Sequence, residues 1–271
     1  DTAGNRYIFT KGAPDVILKK CSAYEAGSIV HMIDKSAKER AERFCDSLAS
    51  EALRVIGFAW RRLSRSEVSP DGKIKCDADS LEQGLIFSGV SGLIDPPHDN
   101  VCEAVETCTS AGIKTVMITG DHAVTAKTIA KELKIYRDGD RVVTGDELEK
   151  MNDGELDAAL KNTTVFARVQ PSHKLRIVRS FKRLGNTVAM TGDGVNDAPA
   201  VKEADIGISM GKNGTEVTRE ASSMVLLDDN FSTIVAAVRE GRRIYDNICK
   251  FIRYMLACNL GEVVTMFAAV L

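Results

Sequence analysis

Between Thr191 and Asp197 the sequence reads TGDGVND, which sets carboxylates, an amide, a hydroxyl and two glycines in one short turn. Glycines let backbone amides approach phosphate oxygens, and a following helix N-terminus favours anions. A carboxylate in that setting can hold magnesium, which prefers oxygen ligands and shares its octahedron with phosphate. The plainer reading is a capped turn, because Asp and Asn favour such positions for backbone reasons alone. Thr119-Gly120-Asp121 repeats the tripeptide, and its hydroxyl and amides could stabilise a phosphoryl group.

Three further groups carry possible chemistry. Lys174 falls one turn into a helix expected after Pro171. A cation there opposes the helix dipole, so a bound anion would help explain it; otherwise it is a solvated lysine. Lys11 opens the turn Lys11-Gly-Ala-Pro-Asp15, where it could line a nucleotide pocket or simply precede a helix that begins at proline. Asn259 and Glu262 are three apart in the apolar run FIRYMLACNLGEVVTMFAAVL (251–271), hence on one helix face. A carboxylate inside a membrane is costly, and with oxygen neighbours it would suit a hard cation such as calcium. The competing reading is a buried soluble helix whose Glu262 pairs with an arginine. His31, His98, His122 and His173 show no metal-ligand spacing.

The elements that would position these groups follow from periodicity. Strand-like runs at Arg6–Thr10, Arg54–Trp60 and Leu85–Val90 flank a helical stretch from about Lys35 to Ala52, with a polar excursion over Ser64–Ser80 around Pro70-Asp71-Gly72. After Asp95-Pro-Pro-His98 short β-branched runs alternate with helical spacing. Strands are expected at Ile113–Thr119, Thr164–Ala167, Thr187–Met190, Ile206–Met210 and Met224–Leu227, and helices at His122–Ile135 and Ser172–Leu184. That alternation predicts a parallel sheet covered by helices, in which ligands bind at strand carboxyl ends, where both Thr-Gly-Asp tripeptides fall. From Phe231 one long helix is expected to run into the apolar tail, a mechanical stalk whose end is long enough for one membrane crossing.

Bulk composition agrees. The 271 residues are 44% hydrophobic and 27% charged, with 36 basic and 38 acidic side chains and a net charge of −2. The balance gives no electrostatic footprint for nucleic acid. Seven cysteines without a CxxC pair argue against a disulfide scaffold and for free, mostly buried thiols. The first residues hold no apolar run of the signal-peptide kind, and the stop at Leu271 within an apolar run suggests part of a longer chain.

KGAPD, DPPH, MITGDH, FARVQPSHK, TGDGVNDAPAVKEADIGISMG and GRRIYDNICKFIRY stand here in that order. In this the chain resembles the P-type ATPases, members of the haloacid-dehalogenase-like superfamily, across essentially its whole length. The stretch ACNLGEVV (257–264) is similar to the fifth membrane helix of endoplasmic-reticulum-type calcium pumps. The resemblance implies an α/β fold: a partial α+β nucleotide-binding domain over 1–94, a Rossmann-like phosphorylation domain over 95–240, and a stalk with the start of a transmembrane helix over 241–271. It implies that Lys11 and Arg54 contact ATP, that Thr119, Gly120 and Asp121 line the phosphorylation site, and that Arg168 reaches the nucleotide on domain closure. Lys174 would neutralise the transferring phosphoryl group, Asp193 would ligate Mg2+ with Asn196 and Asp197 ordering the turn, and Asp95 would sit at a hinge. Asn259 and Glu262 would belong to the site of transported Ca2+. The implied partners are ATP, cations and membrane lipid along the C-terminal helix, without nucleic acid, in a multi-pass membrane protein whose residues to about 250 are cytosolic. Two departures stand out. His98 replaces the family's usual arginine after Asp-Pro-Pro, which would make the charge at that hinge pH-dependent. The Asp-Lys-Thr-Gly-Thr motif bearing the phosphorylated aspartate is absent from this sequence. Alternatives are a pump for sodium/potassium, protons or manganese, a soluble phosphatase of the same superfamily, and a nucleotide-binding fragment without turnover.

Overall fold

A computed structural model describes residues 5–69, 74, 75, 77–94 and 100–270. The Pro70-Asp71-Gly72 tip, Cys76 and the Asp95–His98 hinge lie outside the described residues. In chain order the elements are β1 (Tyr7–Gly12), α1 (Pro14–Lys20), β2 (Cys21–Ala26), β3 (Ile29–Met32), α2 (Lys35–Ser50), β4 (Arg54–Arg62), α3 (Ala78–Leu81), β5 (Leu85–Leu93), α4 (Val101–Ser110), β6 (Met117–Ile118), α5 (Ala123–Glu132) and β7 (Arg141–Thr144). There follow α6 (Gly145–Lys150), α7 (Asp153–Ala159), β8 (Thr163–Ala167), α8 (Pro171–Arg183), β9 (Ala189–Gly192), α9 (Ala198–Glu203), β10 (Ile206–Met210), α10 (Glu216–Ala221), β11 (Met224–Leu226) and α11 (Phe231–Val270). They fall into two compact units, Asp1–Pro97 with Val116–His173, and His98–Thr115 with Lys174–Leu271.

The first unit holds a five-stranded mixed sheet ordered β1-β4-β5-β2-β3 and a three-stranded sheet ordered β6-β8-β7. In the larger sheet β4 is antiparallel to both β1 and β5, while β2 and β5 run parallel. Helix α1 starts on Pro14, whose fixed φ suits a first turn, and carries Asp15 at its start and Lys19 and Lys20 at its end, each sign complementing the dipole. It buries Ile17 beside Cys21, Ala59 and Leu85. Asp34 caps α2 by accepting from the Ala37 amide at 2.6 Å. The Ser64–Ser80 excursion is pinned at its base, where the Arg61 guanidinium forks onto Glu67. In the smaller sheet both strand pairs are parallel. Its middle strand β8 is buried at every position, as a strand with a parallel neighbour on each side should be, and Val165 and Ala167 pack on Ala126 and Ala130 of α5.

The second unit holds a three-stranded parallel sheet ordered β11-β10-β9. Ile208 and Leu226 pack against Ile234, Phe231 and Val238 at the start of α11. That helix runs unbroken through 40 residues, its first turns belong to the sheet's core, Arg242 reaches back to the Ala111 carbonyl at 3.0 Å, and most later residues are exposed. It is long and apolar enough to cross a membrane, and no residue of its apolar window is buried against the rest of the chain.

The expected parallel strands are all present, with two differences. Strand β6 is only Met117–Ile118 rather than Ile113–Thr119, and β9 begins at Ala189 and runs on through Gly192. The strands also join two separate three-stranded sheets; alternation reports strand direction and burial, not which neighbour a strand pairs with. Of the six described cysteines, all are free, but only Cys21 and Cys108 are fully buried, fewer than expected. The Cys21 thiol, donating to the Ile17 carbonyl at 3.1 Å, is pushed up to about 11 by burial.

Candidate functional site

Three places carry the residues singled out above. In the first unit a cavity of about 340 Å³ is walled by the Lys11–Asp15 turn, one face of α2, the start of β4, the Gly120–His122 turn and Arg168. Five of the nominated residues, Lys11, Arg54, Gly120, Asp121 and Arg168, therefore meet around one space although they come from four separate stretches of sequence.

Parallel pairing explains part of the convergence. Strands β6 and β8 run side by side, so their carboxyl ends, Thr119–Asp121 and Arg168, emerge together. They are laced by backbone bonds: the Thr119 amide donates to the Phe166 carbonyl, the Arg168 amide to the Asp121 carbonyl at 3.0 Å, and the Val169 amide to the Thr119 carbonyl. The Thr119 hydroxyl donates to the Asp121 carboxylate at 2.8 Å and accepts from the Asp121 amide at 3.1 Å. Arg54 Nε stands 3.8 Å from the same carboxylate. His122 caps α5, its Nδ1 accepting from the Val124 amide.

Arg168 makes the closest polar contact at the cavity. Its Nη1 and Nη2 donate to the two carboxylate oxygens of Asp15 at 2.8 and 2.7 Å. Those hydrogen bonds outweigh partial burial and hold the Asp15 carboxyl below its ordinary range. Burial pushes the Cys45 thiol, also on the cavity wall, upward.

The second unit carries the TGDGVND turn. Thr191 and Gly192 close β9, Asp193 follows it, and a single 3-10 turn over Val195–Asp197 leads into α9. Asp197 is buried and accepts from the Lys174 ammonium; its other oxygen receives the Gly194 amide at 3.4 Å. The charge at the start of α8 thus has an internal counter-ion, which supplies the anion its placement called for. The turn is fastened further by the Thr215 amide on the Asp193 carbonyl at 2.8 Å and the Thr218 hydroxyl on the Gly194 carbonyl at 2.8 Å. Asp193 and Asn196 are exposed, and neither side chain has a partner among the described residues.

Among the described residues no group of three or more His, Cys, Asp or Glu is arranged to hold a metal. Magnesium does not need one: it takes one or two carboxylates and completes its shell with water and substrate phosphate. A single unpartnered carboxylate at a glycine-flanked strand end fits that donor set. On α11, Asn259 and Glu262 are exposed and unpartnered among the described residues, so the arginine partner of the buried-helix reading is not found there.

Some functional candidates escaped the sequence reading. Glu42, Cys45, Asp46 and Ala49 line the cavity from α2; their i, i+3, i+4, i+7 spacing was the available signal. Asp229, at φ +54, accepts from the amides of Gly211, Lys212 and Asn213 at 2.6–3.0 Å. It ties the β10 exit to the root of α11 across 16–18 residues, and no local pattern announces such a contact.

Residues 1–100 match the family described as P-type ATPase, cytoplasmic domain N. The chain is 48% identical to a calcium-transporting ATPase of Bacillus subtilis, over 98% of this chain and 29% of that protein. It is 44% identical to calcium-transporting ATPase 2, endoplasmic reticulum-type, of Arabidopsis thaliana, over 97% of this chain and 27% of that protein, and 44% identical to a calcium-transporting ATPase of Plasmodium falciparum, over 97% and 23%. The chain spans less than a third of the length of these curated relatives. The chain is thus similar to calcium-transporting ATPases along nearly all its residues, and its first 100 residues match the cytoplasmic N domain of P-type ATPases.

Proposed function

We propose that this chain is part of an ATP-driven calcium pump and contributes its nucleotide cavity, most of a haloacid-dehalogenase-like phosphorylation domain and the helix that carries the conformational signal to the ion site. The observation that carries the reading is the meeting of Lys11, Arg54, Gly120, Asp121 and Arg168 around one cavity. Three of these are cations suited to phosphate, two of them arginines with planar donor forks. The order β6-β8-β7 and β11-β10-β9, all parallel, with Thr-Gly-Asp at two strand ends, is what supports the phosphorylation-domain assignment over 95–240.

In this reading Lys11 and Arg54 bind nucleotide, and Asp121 holds Arg54 in place from the opposite side. Thr119 and Gly120 offer a hydroxyl and an amide to a phosphoryl group. Lys174 neutralises phosphate charge while Asp197 fixes its ammonium. Asp193 would hold magnesium, which when bound neutralises phosphate oxygens and orients them for in-line transfer. The acceptor aspartate that the family resemblance implies has no counterpart in these residues. Residues up to about 250 are then cytosolic, α11 continues as a stalk into the bilayer, and Asn259 and Glu262 supply two of the six to eight oxygens, roughly, that calcium takes.

The test is ATP binding by the full-length protein, followed by displacement of trinitrophenyl-ATP. Lys11→Ala and Arg54→Ala should each weaken ATP by about tenfold, the scale of one lost charged hydrogen bond. Unchanged ATP affinity in both variants would remove the nucleotide from this cavity.

A further inference from the structure

The mechanism above leaves Asp15 without a role, although it makes the tightest polar contact at the cavity. Arg168 is held from several directions. Its backbone is left-handed at φ +51, an unfavourable conformation for a residue with a Cβ. Its amide is bonded to the Asp121 carbonyl at 3.0 Å. Its own carbonyl presses on Gly145, where a Cβ would lie 2.2 Å away, so only glycine fits there. The main chain at Arg168 is therefore fixed, and the direction of the side chain remains to be set.

Asp15 sets it. Pro14 opens α1 and restricts the turn, and Asp15 sits in the first helical turn, where the dipole favours its charge. From that anchored place its two oxygens take Nη1 and Nη2 of Arg168. A guanidinium has five N–H donors, and the described residues offer no other acceptor to this one. The two side chains are 32% and 33% exposed. A pair so open to water contributes little to stability by itself. Its effect is to hold a long side chain in one rotamer, so that less freedom is lost when a ligand arrives.

We propose that Asp15 is a positioning residue: by forking onto the terminal nitrogens of Arg168 it keeps that guanidinium in the cavity wall with its remaining donors open to an oxygen of a nucleoside triphosphate. This rests on the nucleotide reading of the cavity. Asp15 does not touch the nucleotide and acts only through Arg168, so the two residues form one functional unit.

The test is a double-mutant cycle on ATP affinity in the full-length protein, by displacement of trinitrophenyl-ATP, with thermal unfolding followed in parallel. Arg168→Ala and Asp15→Ala should each weaken ATP by about three- to tenfold, and the double variant should be no weaker than Arg168→Ala alone, as required of residues acting as a unit. Asp15→Asn, which keeps one acceptor, should lie between. Exchanging the pair (Asp15→Arg with Arg168→Asp) should leave the unfolding temperature near wild type without recovering ATP affinity; a purely structural tie would recover the affinity. Tighter ATP binding by Asp15→Ala would make Asp15 a competing anion and overturn the proposal. Independent, multiplying losses in the double variant would overturn it too, as would unchanged affinity in Asp15→Ala. In each of those cases wild-type binding and its loss in Lys11→Ala would leave the cavity reading standing. No ATP binding by the wild type would sink both.

Discussion

The tripeptide Thr-Gly-Asp occurs twice, at 119–121 and 191–193, each time at the end of a parallel strand, yet its parts are used in opposite ways. At the first site the aspartate is engaged: Asp121 accepts from the Thr119 hydroxyl and faces Arg54. The glycine beside it is sterically idle, with nothing within 4 Å of where a Cβ would stand on Gly120. At the second site the glycine is indispensable and the aspartate free. A Cβ on Gly192 would lie 2.5 Å from the Asp197 Cβ and 3.0 Å from Val201, whereas Asp193 is exposed without a side-chain partner among the described residues. Identical residue types thus separate into a turn that gathers cations around a cavity and a turn whose packing presents one bare carboxylate. In the proposed reading the first takes nucleotide and the second a metal ion shared with phosphate.

The sharpest way to break this contrast is to change the two aspartates of the second turn, Asp193 and Asp197. Asp193→Asn should lower magnesium-dependent phosphoenzyme formation by about 10²-fold or more, the scale for removing a group that stabilises transition-state charge, with no change in unfolding temperature. A fall in stability comparable to the loss of activity would mean that Asp193 is a structural residue. Asp197 should behave in the reverse manner. Asp197→Ala leaves the half-buried Lys174 ammonium without its partner, at a cost of about 1–3 kcal/mol measured by denaturant unfolding.

A further effect separates the glycines. Gly192→Ala should cost about 1–3 kcal/mol through overpacking against Asp197 and Val201. Gly120→Ala should stay within about 0.5 kcal/mol of wild type. Equal losses at both would erase the distinction. The smallest effect concerns pH. Because Arg168 depresses the folded-state Asp15 pKa, the pair's contribution is present above the ordinary carboxylate range and is lost as pH falls through the depressed value. Arg168→Ala should therefore lower stability slightly at neutral pH, converge on wild type at strongly acid pH and so flatten the acid limb of the profile, read from unfolding midpoints across an acid series.

Much of this arrangement was legible from residues alone, for identifiable reasons. The strand at Thr163–Ala167 is buried throughout, that at Ile206–Met210 is buried over its middle, and α11 is one unbroken helix ending in an apolar run; these signals are local. The Thr-Gly-Asp turns were placed at strand ends because parallel α/β sheets bind ligands there. What stayed hidden is non-local. Nothing near Asp15 in sequence points to Arg168, 153 residues away. Nothing near Lys174 points to Asp197, and its dipole conflict could signal only that some anion was required. The Asp229 clamp and the division of the parallel strands between two sheets belong to the same class. Periodicity names the face a residue occupies, and only the folded chain names what lies opposite.

The most direct test of the pump assignment is phosphorylation of the full-length protein by labelled ATP in membranes, titrated with calcium, in wild type and Glu262→Gln. The account predicts acid-stable, hydroxylamine-sensitive label that appears only with calcium and requires more of it in the variant. Label that forms without calcium, or whose calcium dependence ignores Glu262, would contradict it.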